Sequence, residues 1–156
     1  MNPCEPKGGH VIDNDIRRLF ATVAVAAGHD LDMKEFDDRL TLQKGCYILN
    51  SWGYGPKFRY DMYIHGPYST SLADEYYKIG NIDIGGVDIK SDAIDDLKTI
   101  FGKGLHYAEA YATLMMIRDN SPNATYDSMV RRAIDLKPDL KDEIVEASVS
   151  LLNYGT

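Results

Sequence analysis

The sequence has little of what makes covalent or metal chemistry legible. There are two cysteines, Cys4 and Cys46, and four histidines, His10, His29, His65 and His106. No CxxC occurs, and no histidine pair has the spacing of a helical zinc site, so no metal or other cofactor is expected. Cys4 falls in a tail and Cys46 inside a helical apolar pattern; both read as reduced thiols of a cytoplasmic protein rather than as a disulfide. No apolar stretch approaches the roughly 18 residues of a membrane span, and Met1–His10 contains no apolar core of a secretory signal, so no membrane is expected as a partner. Asn123-Ala124-Thr125 matches a glycosylation sequon but, without a secretion signal, reads as a helix lead-in. Positive charge is scarce: 17 basic against 24 acidic side chains give −7. That disfavours specific duplex DNA as a partner, since phosphate neutralisation supplies most of such affinity. No nucleophile elbow, phosphate loop or dinucleotide fingerprint is present.

What is present is an ordinary globular composition. With 156 residues, 44% hydrophobic and 26% charged, the chain is long enough for one core without a staple. Residues 1–11, rich in Pro and Gly, read as a flexible tail, and 12–156 as a single helical domain. Ile12, Ile16, Leu19, Phe20, Val23 and Ala27 mark one helical face, with Asp13 as N-cap and Gly28 as stop. Asp32 and Glu35 have the spacing of a capping box before a second helix to about Ser51, which looks buried on more than one side. Phe58, Tyr60, Met62 and Ile64 alternate with polar residues, predicting a strand over 58–65 that Gly66-Pro67 breaks. Ser69 or Ser71 then caps a helix to Gly80. Ile82–Ile84 and Val87–Ile89 flank Gly85-Gly86, predicting a hairpin. Further helices run from Ser91 to about Gly102, from Leu105 to Asp119 and from Thr125 to about Ile134. Pro138 is placed at the first position of the last one. The expected fold is mainly α: a compact helical domain with one strand and a β-hairpin, winged-helix-like.

Residues 41–80 stand apart. They carry a net charge of +1, against −3 over 13–40 and −5 over 81–156, and hold seven of the eleven tyrosines and the only tryptophan. Such rings either fill a core or form a recognition surface. Tyr63 falls on the polar face of the expected strand and is the candidate for exposure. His65-Gly66-Pro67-Tyr68-Ser69 reads as a sharp strand-to-helix turn, with Ser69 as the cap and His65 near the helix N-terminus, where an anion could bind.

Arg39–Leu49, with its Leu42-Gln43-Lys44 and Tyr47, followed by Tyr60–Ser69 and Leu72, resembles the YwgA-like group of small uncharacterised prokaryotic proteins. It resembles more distantly the Panacea (SocA-type) antitoxin domain. Both pair a Leu-Gln-Lys helix with a Gly-Pro-Tyr-Ser turn. The likeness covers about 40 residues, and this chain departs from it in having Gly45-Cys46 where a bulkier apolar pair is usual. The resemblance implies a helical domain that binds protein, without established catalytic residues.

Three hypotheses follow. The first is a cytoplasmic protein-interaction module, a regulator or a toxin-neutralising adaptor, with a protein partner and with homodimerisation left open. Its surface would centre on Gln43, Lys44, Tyr47, Tyr63, His65, Gly66, Pro67, Tyr68 and Ser69. Gln43 is expected to satisfy backbone groups at the 65–69 turn, leaving Lys44, Tyr63 and His65 exposed. The second is a winged-helix-like transcriptional regulator that binds nucleic acid, disfavoured by the acidic Asp83 and Asp88 of its wing. The third is an enzyme centred on His65. Asp61 lies about 13 Å from it along an extended strand, too far for a direct dyad.

Overall fold

The apolar stripe of Leu19, Phe20, Val23 and Ala24 turns the first helix inward. In the computed structural model, which describes residues 14–84 and 91–153, this helix is α1 (Asn14–Ala27). It stops at Gly28, whose φ of 88° lets its N–H return to the Ala24 carbonyl at 2.8 Å. A two-residue strand, β1 (Leu31–Asp32), leads to α2 (Phe36–Ser51). Next come β2 (Asp61–Tyr63), β3 (Gly66–Tyr68) and α3 (Thr70–Ile79), which ends at Gly80. β4 (Asn81–Ile82) returns antiparallel to β1, pairing Ile82 with Leu31. The remaining helices are α4 (Asp92–Gly102), α5 (Leu105–Asn120), α6 (Tyr126–Leu136) and α7 (Lys141–Asn153), the last preceded by a 3-10 turn, Pro138–Leu140. The fold is mainly α, with seven α-helices among the described residues.

Two helices form its centre. α2 is buried from Thr41 through Asn50, and α5 from Tyr107 through Ile117. Both are enclosed on most sides, and the polar residues they bury, Gln43, Lys44 and Asn50 on α2 and Glu109 and Thr113 on α5, are the exceptions in otherwise largely apolar stretches. They pack on each other, with α1 and α4 on one side and α6 and α7 around α5. Gly45 permits a close approach. A Cβ there would lie 2.6 and 2.9 Å from the two methyl groups of Val23 and 3.1 Å from the ring of Phe101. A bulkier side chain has no room here.

Several expectations are corrected. Asp32 does not cap α2: it lies in β1, its Oδ1 accepts from the Lys34 N–H, and the N-cap Glu35 makes no side-chain capping bond. The lone strand over 58–65 is instead half of a hairpin. β2 pairs antiparallel with β3, with Tyr63 opposite Gly66 and Met62 opposite Pro67, and Ile64 and His65 form the turn. Gly66-Pro67 therefore begins a strand rather than ending one, and β3 separates His65 from the start of α3. Ile64, expected to be buried, is 82% exposed because it sits at the tip. Pro138 opens the 3-10 turn and not α7 itself. The 1–11 tail, Asp13 and the Gly85-Gly86 hairpin, with the wing it would form, lie outside the described residues. Ser69, Ser91 and Thr125 do cap α3, α4 and α6, accepting from the N–H groups of Leu72, Ile94 and Ser128. No helix among the described residues is long and apolar enough to cross a membrane.

Candidate functional site

The β2–β3 hairpin is held against α2 and α5 by buried polar side chains. Gln43, 1% exposed, places its amide against Ser69: Nε2 donates to the Ser69 carbonyl at 2.9 Å, and Oε1 accepts from the Ser69 N–H at 2.9 Å. The same Nε2 lies 3.3 Å from the Tyr76 hydroxyl, whose ionisation is pushed up by burial. Lys44 reaches the other side of the strand, where its Nζ donates to the Pro67 carbonyl at 2.6 Å. Gln43 and Lys44 thus belong to one corner with the 66–69 segment.

Lys44 is fully buried, contrary to the expectation that it would be exposed. Desolvation lowers its amine to about 7; Glu109 opposes the fall and Lys137 adds to it. Glu109 and Lys137 are buried too, with Lys137 Nζ 3.5 Å from Glu109 Oε2. Lys137 also donates to the Tyr63 carbonyl at 3.1 Å and to the Ile64 carbonyl. His65 is half-exposed, with Nδ1 3.8 Å from Glu109 Oε1. Glu109 is therefore the carboxylate His65 faces. Beneath Gly66 lies Thr113, whose buried hydroxyl has no hydrogen-bond partner among the described residues. A Cβ at Gly66 would lie 3.2 Å from that oxygen, and its φ of 92° already favours glycine.

In front of this corner is a cleft of about 430 Å³. Gln43, Lys44, Tyr63, His65, Gly66 and Tyr68 line it, together with Phe36, Arg39, Leu40 and Ile64 and with Tyr76 and Tyr77 from α3. Pro67 and Ser69 are buried behind it. Tyr47 is elsewhere: it is buried, its ring meets Tyr60 edge-on, and its hydroxyl donates to Asp119 Oδ2 at 3.1 Å. Two roomier depressions, of about 600 and 740 Å³, hold none of the expected residues. Among the described residues no group of three or more His, Cys, Asp or Glu side chains is placed to hold a metal ion. Cys46 is buried and unbonded, and burial pushes its thiol up.

Sequence reasoning missed Glu109, Lys137, Phe36, Arg39 and Tyr77. Glu109 had a visible signal, a single carboxylate within the buried run Tyr107–Ile117. Lys137 had none, since it meets the hairpin 74 residues away in the chain. No protein-family model, curated protein or solved structure matches the chain.

Proposed function

We propose that the chain is a cytoplasmic protein-interaction module whose recognition surface is the cleft between the hairpin, α2 and α3. One observation carries the reading. Phe36, Tyr63, Ile64 and Tyr77 line the same cleft and are 49%, 49%, 82% and 58% exposed. Large apolar side chains gathered on one rim are costly to leave wet and suit a partner that covers them. The buried clamps behind them hold the rim in shape, so little ordering is lost on binding. The role is that of a regulator or toxin-neutralising adaptor, in line with the families it resembles.

The test is recovery of complexes from the source cell with tagged wild type, Tyr63→Ala, His65→Ala, Ile64→Asp and Val149→Asp. Val149, also exposed, lies outside the cleft and serves as the control. A stoichiometric partner retained by Val149→Asp and lost by Ile64→Asp is the expected result. A partner indifferent to Ile64 refutes the reading. The second reading is an acid–base site, favoured by the approach of His65 to Glu109 at the cleft edge. A turnover lost in both His65→Ala and Glu109→Gln, with the fold intact, would put it first.

A further inference from the structure

The basic side chains lining the cleft are Arg39, Lys44 and His65, in a chain of net charge −7. Among the described residues no carboxylate lines it. Asp38, nearby in the first turn of α2, does not face the cleft and accepts from the Asp32 N–H. Of the three basic groups, Lys44 is spent on the Pro67 carbonyl and His65 directs Nδ1 toward Glu109. Arg39 is less committed. Its Nη1 donates to the Met33 carbonyl at 2.9 Å, and among the described residues no carboxylate pairs with it. A guanidinium has five N–H donors in a planar fork, so a carboxylate-binding edge remains. Phe36 fixes its position: the guanidinium lies 5.9 Å over that ring, and His65 meets the same ring edge-on at 5.2 Å. Arg39 and His65 thus flank one aromatic side chain on the cleft. Behind them the buried Glu109 is already paired, with Lys137 Nζ 3.5 Å from its Oε2, so it does not oppose an anion in the cleft.

We infer that the cleft takes an acidic, apolar peptide segment of a partner protein, with an aliphatic or aromatic side chain among Tyr63, Tyr68 and Tyr77 and a carboxylate on Arg39. The inference rests on the interaction reading above and adds the partner's chemistry. A small free anion would leave Ile64 and Tyr77 wet. A nucleic acid strand would require more than one open cation. At about 430 Å³ the cleft is within the ordinary size of a pocket that buries a short anchor.

The test is selection of a displayed library of random short peptides against the full chain, followed by affinity measurement with the synthetic winners. Enrichment of Asp or Glu beside Leu, Ile, Phe or Tyr is expected. Arg39→Glu should weaken such a peptide about tenfold or more, as loss of one charge-assisted pair requires. Selection against Arg39→Glu should return Lys- or Arg-bearing peptides instead. Arg39→Gln, which removes the charge and keeps most of the packing, guards against a folding defect and should also weaken the acidic winners. Apolar winners without acidic enrichment, sensitive to Ile64→Asp but not to either Arg39 variant, would overturn the inference and leave the interaction reading standing. No winner sensitive to Ile64→Asp would overturn both.

Discussion

Removing the Gln43 amide should expose how much of the corner depends on one side chain. In Gln43→Ala the Ser69 carbonyl keeps a partner, because the Ala73 N–H also donates to it at 3.1 Å. The Ser69 N–H does not: its bond to Gln43 is replaced by nothing, and Ser69 is 1% exposed. A buried orphaned donor costs about 1–3 kcal/mol. The four side-chain atoms lost leave a space that adds about 1 kcal/mol if it does not collapse. Together the loss is about 2–4 kcal/mol, a large share of the roughly 5–15 kcal/mol of a whole domain. For a chain of this size that lowers the melting temperature by about 5–15 °C. Gln43→Glu separates the hydrogen bonds from the packing. As a carboxylate it still accepts from the Ser69 N–H but repels the Ser69 carbonyl; protonated, it can donate there. Burial raises that carboxyl's folded pKa above its unfolded one. Its contribution is therefore present at low pH and lost as pH rises through the folded value. Thermal and urea unfolding at pH 5 and pH 7 would read this, with Gln43→Glu closer to wild type at pH 5. A Gln43→Ala change under about 0.5 kcal/mol, or a Gln43→Glu deficit that does not depend on pH, would refute the clamp.

Other outcomes can be stated briefly. Lys44 has a folded value of about 7 against an ordinary 10.5, so across that window the unfolded chain holds a proton the folded chain has released. Stability therefore rises with pH there. Wild type should gain up to about 1 kcal/mol per pH unit over Lys44→Met between pH 7 and pH 9 in urea titrations, and a constant difference would contradict the burial argument. Gly45→Ala gains about 1 kcal/mol of helix propensity but drives a Cβ into the stiff, buried Val23. A net loss of about 1–3 kcal/mol is expected in denaturant midpoints, and a stabilised variant would show that α1 can move away. Thr113→Val replaces an unpartnered buried hydroxyl with a methyl group of similar size. It should raise stability by about 1 kcal/mol in the same assay, and a loss would mean that the hydroxyl has a partner in solution.

The parts of the fold legible in the sequence are those governed by local rules. α1 and α3 announce themselves by helical periodicity. Ser69, Ser91 and Thr125 stand one residue before their helices, and Gly28 and Gly80 one residue after theirs. What misled was Pro67, read as a strand breaker because proline cannot donate to a ladder. In a two-stranded ribbon each strand keeps one free edge, so a proline can sit there without losing a bond. Once Pro67 is inside β3, Ile64 shifts from the buried face to the turn, and the pairing of Tyr63 with Gly66 follows. β1 and β4, two residues each, are too short for any period to appear.

The corner was legible in part, and the part that failed is informative. Gln43, Gly66, Tyr68 and Ser69 came together as expected although Ser69 lies 26 residues beyond Gln43, because an amide next to a buried helix needs backbone partners and a turn with a proline and a cap offers them. Lys44 was placed outside because a charged residue is rarely buried unless paired. Its partners, a carbonyl across the corner and Glu109 from a distant helix, are invisible along the chain. The residues that carry the resemblance to the Leu-Gln-Lys and Gly-Pro-Tyr-Ser motifs are mostly internal: Gln43, Lys44, Gly66, Pro67 and Ser69 are all buried. They determine how the hairpin is seated on α2 and α5. The groups proposed to meet a partner are others, Phe36, Arg39, Ile64 and Tyr77; Phe36 and Tyr77 lie outside the similar segments, and Arg39 and Ile64 lie within them but outside the Leu-Gln-Lys and Gly-Pro-Tyr-Ser motifs themselves. Chains sharing the motif would on this physics share the cleft's backbone and differ in its occupant. Exchanging those four rim residues between two such chains should carry partner choice with them and leave stability nearly unchanged.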